Sequence, residues 1–91
     1  MEDIEKIGAV EKYFREEFSS STIESSYDPG RKARVFKIIT GNSGSTAVIT
    51  TEFLEKNSAQ AIPGILRAYL LAEHLRECSF PIVVTARGLT E

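Results

Sequence analysis

The chain has one cysteine, one histidine, no tryptophan and three prolines in 91 residues. Each scarcity excludes something. A lone cysteine, Cys78, permits no internal disulfide, so a reducing, cytoplasmic setting is expected. Neither sign of charge dominates: 11 Lys and Arg face 13 Asp and Glu, a net charge of −2. With a sequence pI near 5.4, the chain lacks the basic excess of a general phosphate-backbone binder. No apolar run approaches the roughly 20 residues that a membrane-spanning helix needs. Met1-Glu2-Asp3-Ile4-Glu5 is acidic and has no apolar stretch of the signal-peptide kind. Catalytic and nucleotide-binding motifs are missing too. Gly41-Asn42-Ser43-Gly44 has no lysine after it and does not precede a helix, so it reads as a turn and not a phosphate loop.

What is present is an ordinary globular composition, 42% hydrophobic and 26% charged, which implies one domain over residues 1–91. The hydrophobic period changes along the chain. Residues 3–18 repeat Ile4, Ile7, Val10, Phe14 and Phe18 at helical spacing, with Tyr13 at the edge of the stripe. Residues 22–52 alternate as three short strands, separated by Asp28-Pro29-Gly30 and by the Gly41–Gly44 turn. Residues 62–77 return to helical spacing, with Pro63 suited to the first turn and an irregular turn before it at 53–58. Phe80–Ala86 is β-branched and apolar, a strand expected to be covered on both faces. Residues 87–91 are expected to fray. The fold class is therefore α+β in two layers, order α-β-β-β-α-β, with a small, mainly antiparallel sheet covered on one face by two helices.

The hairpins have a natural register. A loop over Asp28–Arg31 sets Ile23 opposite Phe36, and a turn at 41–44 sets Phe36 opposite Ile49. The three then form one apolar row beneath the helices. The opposite face carries Thr22, Glu24, Ser26, Ala33, Val35, Lys37, Ile39, Thr46, Val48 and Thr50, polar except for a patch of valines and Ile39.

Three constellations compete for a function. The helix over 62–77 is apolar around most of its circumference, so it needs a second cover. That cover is either a partner or the chain's own first helix and 53–58 turn. Leu66 and Leu70, one turn apart and rimmed by Arg67, Glu73, His74 and Glu77, have the layout of a small interface. This makes Leu66, Leu70, Glu73 and His74 the candidate partner-binding residues, with a protein partner or a second copy as occupant. Arg31, Lys32, Arg34 and Lys37, close to Tyr27 and Phe36, are the only basic cluster and give the alternative of a nucleic-acid-binding module using Arg31, Lys32 and Arg34. Alternation along the strand sends Arg34 and Lys37 to opposite faces, which weakens that alternative. His74 and Cys78 stand four residues apart on one helical face, the second alternative being a small enzyme. One imidazole and one thiol lack a third group to orient them and make no closed metal site. Adjacent Glu16 and Glu17 diverge around a helix and form no acid–base pair. The expectation is a soluble, non-catalytic protein-interaction module, homodimeric or adaptor- and chaperone-like, with no cofactor, no metal and no membrane.

The order helix, three antiparallel strands, helix resembles that of double-stranded RNA-binding domains. Where those have a lysine-rich start to their second helix, this chain has Asn57-Ser58-Ala59-Gln60-Ala61. The full order and the acidic pI are similar to those of the small dimeric secretion chaperones. That similarity lies in element order and carries over no residue.

Overall fold

The computed structural model describes residues 4–77 and 80–90. Helix α1 spans Ile4–Glu17, followed by strands β1 (Thr22–Asp28), β2 (Ala33–Thr40) and β3 (Ser43–Thr50). Three short helices come next, α2 (Thr51–Lys56), α3 (Ile62–Ala68) and α4 (Leu71–Glu77), then strands β4 (Ile82–Thr85) and β5 (Gly88–Thr90). The strands lie in sequence order in one five-stranded sheet. All neighbours are antiparallel except β3 and β4. A parallel pair needs a long connection, and the three short helices supply it. The fold is α+β with its helices packed on the sheet.

One apolar core joins the helices to one face of the sheet. Ile7, Val10, Tyr13 and Phe14 of α1 meet Phe36, Ile38, Ala47, Ile49, Ile82 and Val84 of the strands. Phe53, Leu54, Ile62, Leu66, Leu71, Ala72 and Leu75 complete it from the other helices. No described residue that is buried is polar by type. Tyr13 lies at the centre of this layer and not at its edge, whereas Ile4 is exposed.

The hairpin registers differ from expectation by two residues each. Ile23 pairs with Ile38 and Phe36 with Ala47. The loops explain the slip. The first is Pro29–Lys32, because the Asp28 carboxylate accepts hydrogen bonds from the amides of Gly30 (3.0 Å) and Arg31 (3.3 Å). That keeps Asp28 inside the strand, and Lys32 turns the chain at φ 51°. The second turn is Gly41-Asn42, with Gly41 at φ 59°. A side chain is disfavoured at that angle, and glycine first in a two-residue hairpin turn is a favoured arrangement. A two-residue slip preserves the faces, so Phe36 and Ile49 stay buried and Ile23 packs half-buried against the same core.

The helix expected over 62–77 is broken. Tyr69 caps α3, its amide donating to the carbonyl of Ile65 at 3.0 Å, and the Leu70 amide bonds the carbonyl of Arg67 at 3.0 Å. Leu70 then takes φ 57°, the left-handed position usually filled by glycine at a helix end. The break restarts the helix as α4 and exposes new amide groups at its first turn. One of them, Ala72, donates to the phenolic oxygen of Tyr13 at 3.1 Å. The 53–58 segment contains a regular helix, capped by the Thr50 hydroxyl, which accepts from the Phe53 amide at 3.2 Å. The segment expected to fray holds β5, whose Gly88 pairs with Thr85. Among the described residues, four helical segments, and not two, cover the sheet.

Candidate interaction surface

The helices leave the other face of the sheet bare. The strand registers place Ser26, Val35, Val48, Val83 and Thr90 in one row across it. Val48 is only 1% exposed although it stands outside the core cluster that the helices form with the sheet. Beside it a shallow groove of about 680 Å³ runs between Arg31, Val48, Thr50, Phe80, Pro81 and Val83. Phe80, just before β4, is 63% exposed, and Ile39 is 38% exposed. The strand over 80–86 is therefore not covered on both faces. Ile82 and Val84 enter the core, while Val83 looks to the bare side, because the described helices pack on the opposite face.

The sheet also ends in a free edge. All seven residues of β1 pair with β2 in unbroken register. Among the described residues no strand neighbours its outer side, and Tyr27 is 42% exposed there.

The sequence-derived candidates separate. Leu66 is fully buried in the core and is not available to a partner, a correction to its expected place on an outer stripe. The break at Tyr69-Leu70 rotates the following residues, so Leu70 alone is left at the surface, 52% exposed. Helix α1 packs against α3, and the Phe53 and Tyr69 rings approach to 6.5 Å. The cover that the apolar helix needed thus comes from the chain itself. Glu73 and His74 are exposed on α4. Glu73 lies 3.9 Å from Arg76, whose guanidinium also donates to the backbone carbonyl of Glu17 (2.7 Å) and stacks 4.8 Å from the Phe18 ring centre. Cys78 lies outside the described residues.

The basic cluster is divided as well. Arg31 and Lys32 are exposed on the loop, with Arg31 3.5 Å from the Asp28 carboxylate. Arg34 sits half-buried on the helix-covered face and donates to the Ser25 hydroxyl at 3.2 Å. The three cations do not line one surface. Among the described residues, no three of His, Cys, Asp and Glu come together to hold a metal, and no helix is long and apolar enough to cross a membrane.

A polar groove of about 480 Å³ separates the end of α1 from the β2–β3 turn, lined by Ser19, Ser20, Ser21, Thr40, Ser43 and Arg76 among others. The hydroxyls of Ser21 and Thr40 hydrogen-bond each other across it.

Burial raises the Tyr13 phenol above its usual value, and the Ala72 amide bond to its oxygen works in the opposite direction. The raised value keeps Tyr13 neutral and structural, since its oxygen already serves the first turn of α4.

Phe80 and Val83 stand in an apolar run, and such a run alone does not distinguish a doubly covered strand from one with a bare second face. No protein-family model, curated protein or solved structure matches the chain.

Proposed function

We propose that the protein is a small, soluble, non-catalytic protein-interaction module of the cytoplasm, acting as a homodimer or a chaperone-like adaptor, that seats a protein partner on the bare face of its sheet. The observation that carries this reading is the 63% exposed Phe80 beside the half-buried Val35 and Val83, which flank the shielded Val48. An apolar centre within a polar rim is how interfaces are built. Here the rim is Glu24, Lys37, Arg31 and Thr50. The expected partner is an amphipathic segment that lays its apolar side on the valines. The nucleic-acid reading has less support, because Arg34 faces the helical layer and Arg31 lies beside Asp28.

Site-specific photocrosslinking tests the reading. A photoreactive phenylalanine at position 80 should give discrete protein adducts in cells. The same group at Lys12, on the exposed side of α1, should give none. No adducts at 80, or the same pattern from both positions, would overturn the assignment to this face.

A further inference from the structure

The edge strand β1 is built like a self-pairing surface. Exposed edges are normally blunted by charged side chains, lysine above all, by proline, by a bulge or by shortness. β1 is Thr-Ile-Glu-Ser-Ser-Tyr-Asp, seven residues in unbroken register with no lysine or proline; its two charges, Glu24 and Asp28, stand on the residues that bond inward to β2. The opposite edge, β5, has only three residues.

The hydrogen-bonding side of each β1 residue follows from the ladder. The Lys32 carbonyl accepts from the Thr51 amide at 3.0 Å. In an antiparallel strand a residue sends its N–H and C=O to the same side, and the sides alternate. Arg34, Phe36, Ile38 and Thr40 therefore bond β3, while Ala33, Val35, Lys37 and Ile39 bond β1. Their partners Asp28, Ser26, Glu24 and Thr22 point inward to β2. The backbone groups of Ile23, Ser25 and Tyr27 are left pointing outward.

We propose that β1 pairs antiparallel with β1 of a second copy, about a twofold axis through Ser25, so that two five-stranded sheets become one continuous sheet. It rests on the homodimeric reading above and names its surface. In this register Ser25 meets Ser25 of the other copy and Ile23 meets Tyr27, so every outward donor and acceptor finds a partner. Ile23 and Tyr27 share the helix-covered face, so the pairing covers the exposed Tyr27 ring with an apolar neighbour. Glu24 meets Ser26. Neighbouring registers are worse: centring on Glu24 opposes two glutamates, and centring on Ser26 opposes Glu24 to Asp28, both like-charge pairs. A β1–β1 contact uses the same patch on both copies and closes, whereas β1 on β5 would propagate without end.

Light scattering and cysteine crosslinking test it together. The wild-type protein should have twice its 10.1 kDa chain mass. Tyr27→Pro removes an outward N–H that the isolated fold does not use, and should give the single-chain mass with an unchanged far-UV circular dichroism spectrum. Phe80→Ser, on the other surface, should remain dimeric. In a Cys78→Ser background, Ser25→Cys should form a covalent dimer on mild oxidation, because directly bonded pairs stand about 5.5 Å apart at Cα, within disulfide reach. Lys37→Cys in the same background should not. A wild-type protein that is monomeric at high concentration would overturn both the homodimeric reading and the pairing. A dimer that survives Tyr27→Pro, with no preference for Ser25→Cys over Lys37→Cys, would overturn the pairing alone. If Tyr27→Pro loses its native spectrum, the crosslinking contrast decides by itself.

Discussion

The two faces of the sheet are made from similar residues and meet different fates. On the covered side, Phe36, Ile38, Ala47, Ile49, Ile82 and Val84 are each no more than 4% exposed, beneath a layer of helices. On the bare side, Val48 is as thoroughly hidden, at 1%, outside the core that the described helices cover. Its cover is lateral. Val35 and Val83 flank it on the neighbouring strands, and the Arg31 and Phe80 side chains border the same groove. Low exposure therefore does not mark a residue as core. Size does better: Phe36, Ile38, Ile49 and Ile82 point to the helices, and the bare row is serine, valine and threonine. A flat β-branched surface shields its own centre and still offers its rim to a partner.

Substitutions can sharpen or break this contrast. The largest effect is expected at Phe36, which is fully buried and whose ring centre lies 5.3 Å from that of Phe14. Phe36→Ala should cost about 3–5 kcal/mol in urea denaturation. Tyr13→Phe keeps the ring but strips the Ala72 amide of its acceptor, and should cost about 1–3 kcal/mol. It should also change the pH profile. The folded-state phenol titrates above its ordinary value of 10.0 because of burial. The contribution of Tyr13 is thus complete below the unfolded-state value and is lost as pH rises through the folded-state value. The alkaline fall in melting temperature should be shallower in Tyr13→Phe. Val48→Ala should cost about 1–2 kcal/mol, the transfer of two methyl-sized groups without a closed cavity. A loss as large as that at Phe36 would mean that the bare face is in fact a core. The smallest effect is expected outside both faces. Leu70 is 52% exposed at φ 57°, where a bulky side chain is disfavoured by about 1–2 kcal/mol. Leu70→Gly should raise stability by up to about 1 kcal/mol, after the greater unfolded-state freedom of glycine is set against the relief. A drop in thermal midpoint would show that the leucine is held there by contacts worth more than the strain.

The faces were legible in the sequence for a simple reason. Strand side chains repeat every two residues, so an error of two in register leaves every residue on its own side. That is why Phe36 and Ile49 could be assigned to the core while their partners could not. The exact pairing depended on the Asp28 carboxylate folding back onto Gly30 and Arg31, and a turn-forming aspartate signals a loop without fixing which residue is its last. The helix break was invisible because Leu70 is a good helix former with no glycine beside it. Once the break was missed, Leu66 and Leu70 seemed to share a side. The final hairpin was missed because Ala86-Arg87 carries no glycine or asparagine. It is held instead by Thr85, whose hydroxyl donates to the Gly88 carbonyl at 3.0 Å and accepts from the Arg87 amide at 3.1 Å. The surface residues Phe80 and Val83 were read as interior because their run is apolar throughout, and only topology reveals that one layer of helices exists to cover it.

The hydrogen bond from Ala72 to Tyr13 makes one amide a clock. First-turn amides of a helix usually exchange their protons freely with water, since no carbonyl within the helix claims them. The Ala72 proton is instead held by a side chain 59 positions earlier in the chain. Its replacement by deuterium requires that the Tyr13–Ala72 bond open. Its exchange rate should follow the release of the amino-terminal helix and match the slow amides of the strands beneath, as if the two distant segments opened in one cooperative step.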